Sequence, residues 1–492
     1  MAMELDDLIK QRQDKLKLFK EKGIELYPTK FSRSHLIHEV VDNFKEAMRV
    51  SLAGRLVAKR KHGKACFCDL RDQSSKIQLY IKQDIVGEDS FKLFENFDVG
   101  DFIGVEGEVF KTHTGELTVK VEKLTLLSKS LRPLPEKWHG LKDVQIRYRQ
   151  RYLDLVSNED VRKVFQMRSK IVSFIRTFLD KKGFMEVETP MMHYIAGGAA
   201  GKPFRTYHEE LKMDLYLRIA PELYLKRLLV GGFEKVYEIN RSFRNEGVST
   251  THNPEFTMLE LYSAYDNFED MMVLCQELFS SCAKELLGTT KLIFQDHEID
   301  FAGDWKRVSF AQIVKERFDI VPEDDVKTML KKLNNKGKNI KEERLSRMQV
   351  VRIVEEFLQE GHSNQPVFLT DYFSIMCPLA KNKKDNPLLS ERFELFMGGM
   401  EVANAYSELN DPIEQKARFL EEIGEETEKK QLDEDYVNAL EHGMPPAGGL
   451  GVGIDRLAMI FLNQPSIRDV ILFPLLRQEQ EQEQDQENKE DK

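Results

Sequence analysis

The chain has 492 residues, 41% of them hydrophobic and 10% aromatic, enough for several buried cores and two to four domains. Its net charge of −10 argues against a surface built for nucleic acid, but the stretch 478–492 carries half of that excess, with seven acids and two lysines, so local charge is the better guide to partners. No run of about 18 apolar residues and no apolar leader core occur, which predicts a cytoplasmic protein without membrane contact, and the five cysteines (Cys66, Cys68, Cys275, Cys282, Cys377) form no C-x2-C pair or Cys/His cluster, against zinc and structural disulfides.

Residues 1–49 read as a helical extension: Leu5, Leu8, Ile9, Leu16 and Phe19 recur near helical spacing over 4–25, and Gly23 stops the helix. From 50 to 130 come five short alternating runs separated by Gly, Asp and Ser turns. They predict a small closed barrel of the OB type, a surface that binds oligonucleotides. The basic run Lys59–Lys64 lies between the first two strands, and Phe67 follows it, which supplies charge for phosphates and a ring for a base. A solvated loop beside a core phenylalanine fits the composition equally well. Cys66 and Cys68 share a strand face, where packing explains them.

Residues 131–158 read as a linker stiffened by Pro133 and Pro135. A helix over 159–182 has an apolar stripe from Val161 to Leu179 and stops at Gly183, and FMEVETPMM then reads as a strand broken at Pro190. That periodicity suits an interface helix or a monomer-core helix alike. GGAAGKPF (197–204) lacks the phosphate-loop spacing, since Lys202 is followed by Pro203.

Residues 234–244 and 255–265 are rich in β-formers, and NEGVSTTHNP between them carries turn signals, so a hairpin is expected. Alternation puts Phe256, Met258, Glu260 and Tyr262 on one face. A strand carboxylate among aromatics is costly unless paired, so Glu260 invites a cation, while the planar fork of Arg244 suits a phosphate or carboxylate.

The segment about 303–365 reads as a helical insertion of two or three helices, after which VFLTDYF returns to the sheet. Around the Gly398-Gly399 turn, Glu394, Phe396 and Glu401 share a hairpin face, and two carboxylates there make a magnesium site once phosphates and water complete the shell. GLGVGIDR (449–456) has no acid about 20 residues on, so it is no dinucleotide fingerprint; its glycines admit a nucleotide in front of the helix bearing Arg456. The tail 477–492 has no apolar face and is expected to be disordered.

Three of these stretches, FRNEGVSTTHNPEFTMLELY, ERFELFMGGMEVANAYSELND (391–411) and GGLGVGIDRLAMIFLN (448–463), resemble motif 2, the magnesium and substrate hairpin, and motif 3 of bacterial-type class II lysyl-tRNA synthetases. The resemblance runs from about residue 5 to residue 476 in the family's order. It implies an α+β protein: an N-terminal OB-fold barrel that reads the anticodon (50–130), then a class II catalytic domain (159–476), an antiparallel sheet flanked by helices with the helical insertion. It also implies ATP-dependent attachment of L-lysine to tRNA(Lys) through lysyl-adenylate, Mg2+ as cofactor, and a homodimer formed by the motif 1 helix, strand and proline.

Residue by residue, the resemblance implies that Arg244 and Arg456 hold phosphates and that Phe256 stacks on adenine. Asn245, Glu246, His252, Asn253, Glu401, Gly453, Ile454 and Asp455 complete the ATP site, and Glu394 joins Glu401 at the metal. It places Gly198 and Glu222 at the lysine α-amino group, Asn404 with Arg244 at the carboxylate, and Tyr406 along the pocket. Arg60, Phe67 and Gln78 become the anticodon readers. Thr251 departs from the arginine that many bacterial members carry.

A lysine ε-ammonium offers three donors and no acceptor, and Glu260, Glu408 and the Tyr262 hydroxyl supply what it needs. Asn404, Tyr406 and Glu408 have the opposite parity from Glu401, so a β-bulge near 402–403 is required for all of them to face the substrate. An aspartyl or asparaginyl enzyme would need cations where Glu260 and Glu408 stand. A lysyl-transfer paralogue, or a nucleic-acid-binding module that has lost charging, is the other rival.

Overall fold

The computed structural model describes residues 2–135, 141–199, 201–340, 345–359, 363–425 and 431–477; the expected disordered tail lies outside them beyond Arg477. The chain divides into two compact units, Met1–Lys142 and Asp143–Lys492.

In the first unit a helix, Ala2–Glu21, precedes a closed five-stranded barrel. The strand Arg49–His62 closes it by pairing with Phe102–Lys111 along its first half and with Ala65–Arg71 along its second, with a register shift between Leu56 and Ala58. A barrel needs one strand long and bent enough to serve both neighbours. For that reason most of the basic run predicted as a loop is strand, and the turn is confined to Gly63 and Lys64. Alternate residues such as Leu52, Cys66, Cys68, Leu70 and Leu79 fill the interior, and the sulfurs of Cys66 and Cys68 lie 3.5 Å apart among them.

The second unit is built on an eight-stranded sheet in the order Lys306–Ser309, Val367–Thr370, Arg392–Met397, Met400–Ser407, Ala447–Gly453, Glu255–Ala264, Lys235–Phe243, Met185–Glu186. The six inner strands are antiparallel; the first and last pair parallel to their neighbours. One face packs on helices Glu159–Lys181, Phe268–Leu287 and Ile454–Phe461 through Leu259, Leu261, Phe393, Leu395, Ala403, Ala405, Leu450 and Val452. Burying each leucine there contributes roughly 1.5–3 kcal/mol.

Local signals set these helices. Glu159–Lys181 buries Ile171, Ile175 and Leu179, four residues apart. It ends where Gly183, at φ 83°, lets Phe184 N–H reach back to Leu179 O. Asn267 and Asp270 form a reciprocal capping box on Phe268–Leu287, and left-handed Gly288 closes that helix.

The linker expectation fails in its second half. That half is helical, Val144–Arg149 and Arg151–Ser157, because fully buried Arg151 donates to the carbonyls of Leu472 and Arg468 and pairs with Asp154 at 2.6 Å. Its charge makes the segment look solvated in sequence. The strand expected over FMEVETPMM does break at Pro190, which removes a ladder donor, and its two short pieces, Met185–Glu186 and Met192–His193, join different sheets. The insertion has helices Phe310–Phe318, Val326–Asn335 and Arg347–Gln359, and Val367–Thr370 returns to the sheet.

Candidate functional site

The sheet face turned away from the helices forms the floor of a cavity of about 460 Å³. Across it, register aligns four strands: Arg392 with Tyr406 and Glu394 with Asn404, then Tyr406 and Asn404 with Gly449 and Gly451, and these with Tyr262 and Glu260. Two glycines in the middle row leave a trough between two walls of polar side chains. The trough depends on the missing side chains, since a Cβ on Gly449 would stand 2.6 Å from the Tyr262 ring.

The bulge expected near 402–403 is present. Glu401 faces Phe396 and Ala403 faces Leu395, leaving Val402 unopposed. The extra residue turns Glu401 and Asn404 to the same face as Glu394.

At one end stand the buried carboxylates of Glu222, Glu260 and Glu408. Glu260 has a single close partner, the Tyr262 hydroxyl at 3.4 Å, and no cation pairs with it among the described residues. Burial, with Glu222 nearby, pushes its carboxyl up to about 8. Burial also pushes Glu408 up to about 8, against the pull of Lys226, and its Oε1 has no hydrogen-bond partner. Lys226, on the helix Glu222–Val230, is fully buried with Nζ 2.6 Å from Glu222 Oε1 and in contact with Glu408 Oε2. Glu408 is therefore not a free acceptor as the sequence reading had it. One oxygen is committed to an internal ammonium. Gly198, at φ 88°, packs its backbone on Glu222.

The middle of the trough is held by Arg392, which sequence reasoning passed over. Its guanidinium lies 4.4 Å from the Tyr372 ring, pairs with Glu394, and donates to Asn404 Oδ1 at 3.3 Å. Tyr372 donates to the other Glu394 oxygen at 2.6 Å. Glu394 is pushed up to about 8 by burial. Tyr406 lines the same wall.

At the other end Arg244 lies 5.1 Å from the Phe256 ring, and its Nε is buried without a partner. Arg456 donates to Glu401 O at 2.7 Å, meets His252 Nε2 at 3.1 Å, and has Glu401 Oε2 at 3.4 Å. A guanidinium has no acceptor, so His252 Nε2 is the acceptor and its Nδ1–H points to Ser249 Oγ at 2.8 Å. Burial and Arg456 lower the His252 pKa, which keeps the ring neutral. Thr251 Oγ1 lies 3.1 Å from the same Nδ1. Glu246, Asn253 and Gly453 line this end too.

Two of the expected nucleotide contacts lie off the cavity. Ile454 is buried in the core behind the sheet. Asn245 is exposed outside the cavity lining, with its N–H on Lys202 O at 2.7 Å. Asp455 does line the cavity, while its carboxylate accepts from Arg168 at 2.5 Å and from Thr257 N–H at 2.7 Å and ties its helix to the neighbouring strand. The places of Ile454 and Asp455 follow ordinary physics: an apolar residue in the first turn faces inward, and a carboxylate at a helix start gathers donors.

Sequence reasoning also missed Lys226 and the Arg218–Glu238 pair at 2.6 Å, whose glutamate lies directly opposite Glu260 on the adjacent strand. A signal existed: a glutamate and lysine one turn apart in an otherwise apolar helix, ELYLKRLLV, put charge on a face that has no solvent.

On the barrel, Arg60 and Phe67 are cross-strand partners on the outer face, and Phe67 lies opposite Tyr80 with ring centroids 5.0 Å apart. Arg60 pairs with Asp69 at 2.7 Å, and Gln78 accepts from Thr118 at 3.0 Å. Lys59 is spent on the carbonyls of Phe94, Glu95 and Phe97, so the basic run presents less free charge than its composition implies.

Comparison with known proteins matches residues 143–477 to tRNA synthetases class II (D, K and N) and residues 50–127 to an OB-fold nucleic acid binding domain. The chain is 54% identical over 483 residues to the lysine–tRNA ligase of Carboxydothermus hydrogenoformans, covering 96% of this chain and 99% of that one. It is 53% identical to that of Pelotomaculum thermopropionicum, covering 96% of each, and 51% identical to that of Moorella thermoacetica, covering 98% and 100%.

Proposed function

The chain belongs to the class II tRNA synthetases, among the bacterial lysine–tRNA ligases, and from that premise we propose how its cavity carries out ATP-dependent lysylation of tRNA. The observation that carries the reading is the buried carboxylate end. Glu260 beside the Tyr262 hydroxyl, with the free oxygen of Glu408, is a site that only a cationic side chain completes. Glu222, with Gly198, takes the α-ammonium. An aspartate or asparagine substrate would find carboxylates where it needs donors.

The lysine carboxylate attacks the α-phosphorus of ATP in line, the bond to the β-phosphate oxygen breaks, and lysyl-adenylate and pyrophosphate result. The 3′-hydroxyl of tRNA(Lys) then attacks the lysyl carbonyl and AMP leaves. Arg244, whose Nε lacks a protein partner, bridges the lysine carboxylate and the α-phosphate, and Asn404 adds an amide donor to the carboxylate. Phe256 and Arg244 form the stacked edge on which adenine rests, and Arg456, held by Glu401 and neutral His252, faces the outer phosphates. Positioning and charge supply the rate, with no covalent enzyme intermediate.

Glu394 and Glu401 fit a magnesium ion. Tyr372 and Arg392 fix Glu394 while each of its oxygens keeps a second lone pair, and no group of three ligating side chains occurs among the described residues, so phosphate and water must complete the shell. Bound there, Mg2+ supplies positive charge to the triphosphate.

Exposed Met185, Met191, Met192 and Tyr194 support a homodimer interface just after the helix Glu159–Lys181. The His62, Phe67 and Tyr80 rings, with Arg60 and Gln78, suit the anticodon bases. No described helix is long and apolar enough to cross a membrane, and a tRNA substrate puts the enzyme in the cytoplasm. The test is amino-acid-dependent ATP–pyrophosphate exchange across the standard amino acids. Lysine alone should support it; exchange with aspartate or asparagine instead would overturn the reading.

A further inference from the structure

We propose that Lys226 is a positioning residue for amino-acid recognition: an ammonium built into the protein that holds the carboxylates of Glu222 and Glu408 in place, so that the ionised carboxylates of the filled pocket are all matched only by a diamino acid. The inference rests on the lysine reading above.

Lys226 lies one helical turn beyond Glu222, and such a pair on an exposed helix would be unremarkable. Here the lysine side chain has 0% exposure, and a second carboxylate, Glu408 from the far side of the glycine trough, closes on the same Nζ. The Tyr262 ring centroid lies 6.0 Å away, and the buried Tyr436 hydroxyl, without a hydrogen-bond partner, is another neighbour. The two carboxylates raise the Lys226 pKa despite its burial, so the cation persists.

Besides the Arg218–Glu238 pair, whose charges cancel, the charged groups among the described residues of the buried end are the carboxylates Glu222, Glu260 and Glu408 and the cation Lys226. A lysine substrate brings two ammonium groups, its carboxylate going to Arg244, and the ionised charges then cancel. An amino acid with one ammonium leaves a buried carboxylate unpaired, a state that proteins avoid by taking up a proton or rejecting the ligand. Lys226 also fills the space between Glu222 and Glu408, which leaves Glu408 Oε1 as the oxygen open to the substrate.

Removing Lys226 makes the filled site one cation short. Glu408 is the group that responds. It faces Lys226 and Glu222 from one helix, Lys381 from the preceding loop, Tyr262 from the strand beyond Ala447–Gly453, Tyr436 from the helix Glu434–Glu441 and Tyr406 from the strand that leads to it, and of these only Lys226 forms an ion pair with it. Its carboxyl, already raised by burial, loses the neighbour that favours its ionised form, keeps its proton near neutral pH when lysine binds, and so loses its grip on an ammonium.

The test measures lysine-dependent exchange by the full-length enzyme and by Lys226→Met and Lys226→Arg, each checked for folding by its thermal transition. The lysine KM of Lys226→Met should rise about tenfold or more at about pH 7, a loss of at least one pK unit of carboxylate ionisation, with the ATP KM unchanged. Its ratio to the parent should shrink toward about pH 9 as the carboxylate ionises, and Lys226→Arg should recover most of the affinity. Should Lys226→Met fail to fold, Lys226→Gln, which keeps a donor on a similar stem, carries the same expectation. A parental lysine KM in the neutral variant, or a defect of equal size at every pH, overturns the proposal while the parent still activates lysine. Absence of lysine-dependent exchange in the parent overturns the function reading and this inference with it.

Discussion

Gly449 and Tyr262 face each other across adjacent strands so closely that a methyl group on the glycine would come within 2.6 Å of the ring, and it would overlap the Glu408 carboxylate as well. The pocket floor is therefore defined by an absent side chain. Rigid sheet backbone surrounds Gly449, so relief must come from displacing Tyr262 and Glu408, both of which line the proposed ammonium site.

Gly449→Ala should accordingly fold, since the residue does not lie in left-handed backbone, yet lose lysine recognition. The expected result is a lysine KM raised by about ten- to a hundredfold, about 1.4–2.7 kcal/mol, with ATP affinity little changed. Steady-state exchange kinetics at varied lysine and fixed ATP would measure it. An unaltered lysine KM would mean that the trough is not the amino-acid site.

The raised carboxyls predict proton traffic. In the empty enzyme Glu260 and Glu408 sit at about 8, so at neutral pH both are largely protonated. An ammonium favours the ionised form, and lysine binding at about pH 7 should release roughly one to two protons, falling toward none above about pH 9. The sign for stability is the reverse of the usual paired carboxylate. A folded pKa above the unfolded value destabilises the empty enzyme as pH rises from about 4.5 through 8, and lysine should protect most at the upper end of that window. Calorimetric titration of lysine in buffers of different ionisation enthalpy gives the proton count. Zero release at neutral pH would refute the burial argument.

The alternation that placed Phe256, Met258, Glu260 and Tyr262 on one face was legible because strand period is 2, and the bulge at Val402 followed from a parity conflict within one hairpin. Lys226 and Arg392 were not legible in the same way. Each has one carboxylate close by in sequence, Glu222 or Glu394, but its burial and its further contacts, Glu408 for Lys226 and Tyr372 and Asn404 for Arg392, come from elsewhere in the fold, and sequence spacing carries no information about those. The glycines of 449–453 were read as room for a nucleotide, and the register, which no spacing could show, puts Gly449 between Tyr262 and Tyr406 and Gly451 between Glu260 and Asn404 in the floor of the cavity. Ile454 sits in a motif whose neighbours Gly453, Asp455 and Arg456 line the cavity, and only tertiary packing shows that it faces the core instead.

On the barrel, Phe67 is half-buried between His62 and Tyr80 on the outer face, where a ring can stack on a base without leaving a core cavity behind. Phe67→Ala should weaken tRNA interaction by about 1–3 kcal/mol and leave lysine-dependent exchange nearly unchanged. The contrast between aminoacylation at varied tRNA and exchange without tRNA is decisive. Equal loss in both assays would make Phe67 a structural residue.

Glu260→Gln isolates the charge of the pocket from its shape. The amide is nearly isosteric, keeps an acceptor for the Tyr262 hydroxyl 3.4 Å away, and removes the only one of the three carboxylates at this end that has no cation of its own. The substrate ammonium would then be buried against a neutral group, a penalty on the order of 3–5 kcal/mol. We expect a lysine KM raised by about two to three and a half orders of magnitude and an ATP KM within a few-fold of the parent. Discrimination should weaken in parallel. A site built on charge rejects an uncharged side chain of similar shape because of the carboxylate it leaves unpaired, and the amide leaves none. Exchange measured with lysine and with norleucine, which lacks the ammonium, separates these effects. A Glu260→Gln enzyme that activates lysine at the parental KM would show that the ammonium binds elsewhere in the cavity.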